Sequence, residues 1–363
     1  MSFLFGAPHR YHQGPGKLDE LGPVIAHCGP APLIVADAFV LDLLGDRIRA
    51  SCAAAGLSPQ IRAFAGEITY PAIDALIAGL GGQIPSVAVG VGGGKALDAA
   101  KAVALKLGLP AVTVPTIASN DSPTSASIAM YDENHTMIAV DRLHRSPEVV
   151  LVDSALIARA PVRFLLAGIG DALSKKFEVD GCASGTGITP FGTRPGLTGI
   201  AIADACYRTL RAHAVAGVAA ARRGEVTADL EAVIEATLLM SGLGFENGGL
   251  SLAHSLTRGL VKARGAASAP HGDHISWGLL VQLAAEEREE AFLRDLLGFY
   301  REIGLPASLP ELGMDQPEAA EIAAIARGTM TAPHLKNLAR PVDEAAIIAA
   351  IIRIEALAGG RDV

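Results

Sequence analysis

Through about residue 155 the chain alternates short runs of β-branched residues with stretches of helical composition, and this alternation restricts the possible folds most. Strands buried on both faces read as short apolar runs, and such strands recurring between helices form a parallel sheet wrapped by helices. The spacing predicts strands at 33–36, 60–64, 86–91, 111–114, 137–140 and 149–152, with helices at 39–55, 71–80 and 95–107. Beyond Ala160 the Ala, Leu, Glu and Arg content rises and β-branched runs disappear, so the second half is expected to be all-helical. Pro161 suits the first turn of a new helix and marks the boundary. The expected organisation is an α/β domain at 1–160 and an all-α domain at 161–363, with a small-molecule site in the cleft between them.

Within the first half, the run 87–91 leads into Gly92-Gly93-Gly94-Lys95 and then a helix that contains Asp98 and Lys101. Residues without Cβ let backbone N–H groups approach a ligand, and the helix N-terminus adds donors and a positive dipole end, which suits a pyrophosphate. The segment is neither a Walker loop, since Ala follows the Gly-Lys, nor the GxGxxG fingerprint. A tight turn that packs helix on strand is the bland alternative. Asp37, just after the first predicted strand, could hold the two hydroxyls of an adenosine ribose, or simply cap the next helix. The loop from Thr116 to Ser127 is rich in hydroxyls and bracketed by Pro115 and Pro123, so it is a second candidate for ribose, phosphate or polyol binding.

Half of the residues are hydrophobic and 19% are charged, which excludes disorder, and no apolar run is long enough for a membrane span. A net charge of −8, with no basic cluster beyond Lys175-Lys176 and Arg222-Arg223, argues against a nucleic-acid partner. The start of the chain has no secretory pattern. Four widely spaced cysteines without a CxxC pair fit a reducing cytoplasm.

In the second half, Asp171 opens a predicted helix, His254 follows in SLAHS, and His271 stands three residues before His274. A carboxylate and two imidazoles with an open fourth position make a catalytic zinc set, whereas structural zinc sites are closed and thiolate-rich. The spacing leaves open whether His271 or His274 would ligate.

Five segments together resemble the glycerol dehydrogenases of the iron-containing alcohol dehydrogenase superfamily: GVGGGKALDAAK at 90–101, VPTIASNDSPTS at 114–125, GIGDALSKKFE at 168–178, GGLSLAHSLTRGL at 248–260 and HGDHISWGLLVQL at 271–283. They occur in the family's order. The resemblance implies an N-terminal dinucleotide-binding α/β domain, a C-terminal helical domain, and NAD- and zinc-dependent oxidation of glycerol or a similar vicinal diol. It places Asp37, Gly93, Gly94, Lys95, Asp98, Thr116, Ser119, Ser125, Ser127 and Tyr131 at NAD. It assigns one zinc to Asp171, His254 and His271, with Asp121 on the substrate and Phe245 packed nearby. It also implies a homo-oligomer, as large as an octamer.

Lys175 stands where iron-type relatives carry a fourth, histidine ligand, which favours the three-ligand zinc type. Lys175, Asn120 and His274 also depart from the residues expected in glycerol dehydrogenases, which bears on the substrate more than on the reaction. The alternatives are a relative acting on another polyol or on glycerol 1-phosphate, with Lys175 meeting the anion, and a dehydroquinate synthase-type lyase.

Overall fold

The computed structural model describes residues 2–133 and 136–359. Eight strands are present among them: β1 (Arg10–Gly14), β2 (Pro32–Ala36), β3 (Gln60–Ala63), β4 (Val87–Gly92), β5 (Ala111–Pro115), β6 (Ser127–Tyr131), β7 (Met137–Arg142) and β8 (Val149–Asp153). The chain sorts into two compact units, one made of Gly6–Pro161 and Ala220–Gly242, the other of Met1–Phe5, Val162–Ala219 and Leu243–Val363. Residues 220–242 therefore sort with the sheet, although a simple cut at residue 160 assigns them to the helical half.

In the first unit a six-stranded sheet has the order β1-β8-β5-β4-β2-β3, and every neighbouring pair is parallel. β2, β4, β5 and β8 are buried along their whole length. Alternate residues feed opposite cores: Leu33, Val35 and Ala88 join Ile73 and Val103 on one face, while Ile34, Val87 and Val89 join Val40, Leu44 and Ile48 on the other. Each such side chain contributes about 1.5–3 kcal/mol on burial, so a one-residue slip of register would be heavily penalised.

The connection after β2 leads outward to β3, and the connection after β4 leads the opposite way to β5. The crevice between the carboxyl ends of β2 and β4 is thus a topological switch point, the usual ligand position in an open parallel sheet.

Three strands depart from expectation, β6 among them because no strand is expected at 127–131. The 137–140 strand is present but lies outside the parallel sheet, because β7 pairs antiparallel with β6 as a separate ribbon. β1 has the polar sequence RYHQG and is only half-buried, as befits an edge strand, so it carries no apolar run to announce it.

Residues 220–242 are tied to the polar loop of this unit. Ala236–Met240 forms a π-helical turn, and the Thr124 hydroxyl donates to the Leu238 carbonyl at 2.7 Å. A Cβ on Gly242 would lie 1.8 Å from Thr124 Oγ1, so only glycine permits this approach.

From Ser154 onward the described residues contain helices and no strand. The second unit is organised around the helix Val162–Ser184, which packs on His271–Ala285. Their contact depends on two glycines. A Cβ on Gly272 would sit 1.8 Å from the Ala167 carbonyl oxygen, and one on Gly170 would sit 2.7 Å from the Gly272 carbonyl oxygen. The backbones consequently touch beside Asp171 and His271. No helix among the described residues is long and apolar enough to cross a membrane.

Candidate active site

At the switch point, the helix Gly94–Leu107 begins from Gly93 and no side chain caps it, so its first-turn amides face outward without a side-chain acceptor. Gly92 takes φ +145°, and a Cβ there would lie 3.0 Å from Ala96 Cβ and 3.7 Å from Asp37 Oδ2. Asp37 therefore stands beside the glycine turn. Its Oδ1 accepts from the Val40 amide at 2.8 Å as a helix cap. Capping occupies one carboxylate oxygen, which is compatible with a ligand on the other.

The polar loop is held by a residue that motif reading passes over. Lys101 is fully buried, and its ammonium donates to the carbonyls of Ser122, Ser125 and Ser127 at 2.9, 3.2 and 2.7 Å. Asp98 lies 2.7 Å from that ammonium and accepts from the Ser122 hydroxyl at 2.6 Å and the Ala129 amide at 3.0 Å. Asp98 is thus a loop anchor. The Ser127 hydroxyl is buried without a hydrogen-bond partner in the protein, an orphan that a ligand could satisfy.

Thr116, through its amide, bonds the Gly92 carbonyl at 3.1 Å, which fixes the loop's start against the glycine turn. Lys95 is exposed and pairs with Glu67. Tyr131 is partly buried, and burial, with Asp98 and Glu67, raises its phenol. Ser119 and Asp121 lie half-buried on the same loop, and the Asp121 carbonyl accepts from the Thr124 amide at 3.3 Å.

In the helical unit the candidate ligand atoms of Asp171, His254 and His271 lie within 4.8 Å of one another. Asp171 and Glu178 occupy one face of the same helix, two turns apart. Glu178 is fully buried and accepts from His254 Nδ1 at 2.6 Å, from the His254 amide at 3.0 Å and from the Ser251 amide at 2.9 Å. This fixes the His254 tautomer and leaves Nε2 facing Asp171 Oδ1 at 3.3 Å. An ion with ligand bonds of about 2.0–2.2 Å spans such a separation.

The electrostatics match that arrangement. Burial alone would raise Asp171, but Lys175 and His254 hold it far below the ordinary carboxylate range. Burial would likewise raise Glu178, which His254 and Lys175 bring down to about 2. His271 is the most exposed of the three by surface, yet protein surrounds its ring closely enough that desolvation lowers it to about 4, a neutral imidazole able to ligate. His274, by contrast, is buried and bonds the Ala266 carbonyl at 2.7 Å. That contact separates the two histidines, which their spacing could not.

Lys175 is fully buried with its ammonium 2.5 Å from Asp171 Oδ1 and 3.3 Å from His254 Nε2. The Phe245 ring centroid is 6.0 Å from the same nitrogen. One carboxylate and two imidazoles with ligand atoms within 4.8 Å of one another form a cation site, and its donor chemistry fits a divalent metal.

Residues 8–154 match the model of the iron-containing alcohol dehydrogenase family. A glycerol dehydrogenase of Thermotoga maritima is 38% identical over 320 residues, covering 88% of this chain and 87% of that protein. A glycolaldehyde reductase of Halobacterium salinarum is 36% identical over 326 residues, covering 90% and 89%. The crystal structure of a probable glycerol dehydrogenase from Sinorhizobium meliloti superimposes with a TM-score of 0.92 at 35% identity over 99% of both chains.

The chain belongs to the glycerol dehydrogenase family. It is an oxidoreductase of the alcohol dehydrogenase type, with the family's parallel-sheet and helical parts. Within this glycerol dehydrogenase scaffold, Glu178 and Lys101 are the site residues that motif reading missed. The signal for Glu178 was available, because Asp171, Ser174, Lys175 and Glu178 form a polar stripe at helical spacing on one face of the helix.

Proposed function

We propose that the protein oxidises glycerol, or a similar vicinal diol, to dihydroxyacetone or the matching hydroxyketone, with NAD as hydride acceptor. The observation that carries this reading is the Asp171, His254 and His271 set, with its ligand atoms within 4.8 Å of one another and braced by Glu178, in a chain 38% identical to a glycerol dehydrogenase. A zinc ion held by those three residues supplies the Lewis acidity that lets an alcohol lose its proton near neutral pH. Asp171 brings the negative charge, while His254 and His271 supply neutral nitrogen donors. Glu178 keeps the His254 ring in its ligating tautomer.

Asp121 orients the diol, and Phe245 packs against it. For the nucleotide, Asp37 holds the adenosine ribose, and the amides around Gly93 and Gly94 take the pyrophosphate. Lys95, Thr116, Ser119, Ser125, Ser127 and Tyr131 complete the NAD site, and Asp98 acts by anchoring their loop. The uncapped helix start at the switch point and the orphan Ser127 hydroxyl support this assignment.

The glycolaldehyde reductase relative favours a second reading, reduction of an α-hydroxyaldehyde by the same machinery run in reverse. Glycerol 1-phosphate and a dehydroquinate synthase-type substrate have less support, because the buried Lys175, the residue expected to meet an anion, is paired with Asp171 of the protein itself. The four widely spaced cysteines, without a CxxC pair, fit a reducing cytoplasmic setting. A homo-oligomer, octameric by resemblance, is checked by light scattering.

The test is spectrophotometric. Zinc-loaded protein with NAD and a panel of diols should produce NADH absorbance, highest with glycerol or a close analogue. Turnover of glycolaldehyde with NADH and of no diol would favour the reductase reading, and silence with every substrate would sink both.

A further inference from the structure

We propose that Lys175 is a resident cation of this metal site, holding Asp171 and His254 together in the metal-free protein and having to withdraw before a metal ion can take the same donor atoms. The inference rests on the metal reading given above. Lys175 lies one turn after Asp171 on the helix Val162–Ser184, a spacing that brings the two side chains together. Its Nζ is 2.5 Å from Asp171 Oδ1 and 3.3 Å from His254 Nε2, while those two atoms are 3.3 Å apart. The ammonium therefore engages the same lone pairs that a metal ion would use.

Simultaneous occupancy is unfavourable for two reasons. The imidazole Nε2 has a single lone pair, so while it accepts from the ammonium it cannot bind a metal, and the Asp171 oxygen is shared with the same ammonium. A dication placed on them would also stand within a few ångströms of a like charge in a water-poor volume, where repulsion is strong.

An aromatic face lies near the ammonium. The Phe245 ring, 6.0 Å from Nζ, offers a face that can receive a displaced ammonium. The site thus has two mutually exclusive occupants, one built in and one recruited. Lys175 acts as a positioning residue that keeps the metal-free site assembled and weakens metal uptake.

The test uses the full-length protein, stripped with a chelator and titrated with Co²⁺, whose visible absorption reports ligation independently of activity. Wild type, Lys175→Met and Lys175→Gln are compared, and melting is followed with and without metal. Both variants should bind Co²⁺ at least about tenfold more tightly than wild type. Metal-free, they should melt lower than metal-free wild type, because Asp171 loses its partner, and their gain in Tm on adding metal should be larger. A variant that folds only with Co²⁺ present also supports the proposal. Equal or weaker Co²⁺ binding by both variants overturns it while leaving the metal reading intact. If none of the three proteins takes up Co²⁺ or Zn²⁺ although NAD still binds, the metal reading fails and the lysine proposal falls with it.

Discussion

Two lysines among the described residues are completely buried, one in each unit, and each pairs with an aspartate on its own helix. Lys101 is surrounded by backbone carbonyls of the polar loop, with Asp98 beside it. Lys175 is held by a carboxylate and an imidazole nitrogen. The difference lies in what the partners can otherwise do. Loop carbonyls in that position have no competing cation to serve, so the ammonium at 101 is a permanent brace. Asp171 and His254 are metal donors, so the ammonium at 175 is a replaceable occupant. Burial and charge are the same in both places, and only the identity of the acceptors separates a strut from a switch.

The largest effect should come from breaking the replaceable site at its shared donor. Asp171→Asn removes the charge that Lys175 and the metal have in common, and kcat/KM should fall by about 1,000-fold or more. The same change strands a buried ammonium, with an expected loss of about 3–5 kcal/mol in urea unfolding. Adding Lys175→Met to Asp171→Asn should recover most of that stability and none of the activity. Recovery of activity in the double variant would contradict the metal role of Asp171.

Lys101→Met is the matching cut in the other unit. It leaves the Asp98 carboxylate without its cation and takes a donor from three loop carbonyls, so a loss of about 3–5 kcal/mol is expected here as well. Activity should fall through KM for NAD, while Co²⁺ affinity of the stripped protein stays at the wild-type value. That outcome differs from the one expected for Lys175→Met, whose metal affinity rises. If both lysine variants changed metal affinity alike, the distinction between brace and occupant would collapse.

Glu178→Gln is a smaller perturbation, since it touches the metal only through His254, and metal affinity should weaken by about 10- to 100-fold. It also carries a pH signature. The folded Glu178 carboxyl titrates at about 2, below its unfolded value, so on acidification the unfolded chain takes up the proton first. The stabilisation is therefore present above the ordinary carboxylate pKa and is lost as pH falls towards 2. Acid unfolding curves of the stripped proteins should show a shallower acid limb for Glu178→Gln than for wild type, and identical limbs would remove Glu178 from the account.

These contrasts also mark how far the chain could be read unaided. The central strands were legible because a strand buried on both faces has to be an apolar run, as in LIVA and VAVGV. β1 was not, because its polar residues find their partner in β8, more than a hundred positions away. The attachment of residues 220–242 was equally invisible, since a helical segment has the same composition whichever core it serves. It is decided by contacts such as Thr124 with Leu238 across Gly242.

At the site, residue types proposed Asp171, His254 and His271, and their meeting in one small volume is a property of the fold. The choice between His271 and His274 needed the Ala266 carbonyl. Lys175 was visible as a departure from the family pattern, yet its sequence context pointed towards an anionic substrate rather than towards the neighbouring Asp171.

A third lysine gives the smallest and most selective test. Lys95 sits at the glycine turn, 61% exposed, and pairs with the largely covered Glu67. Water screens such a pair, and ordering two long side chains offsets most of its attraction, so Lys95→Ala should change unfolding free energy by no more than about 1 kcal/mol. Its position at the start of the uncapped helix predicts a modest rise in KM for NAD, with Co²⁺ affinity and kcat near wild type. A large stability loss would mean that burial is not what makes a lysine structural in this chain. An unchanged KM would remove Lys95 from the NAD site and leave the Gly92 turn and the helix amides to carry the phosphate alone.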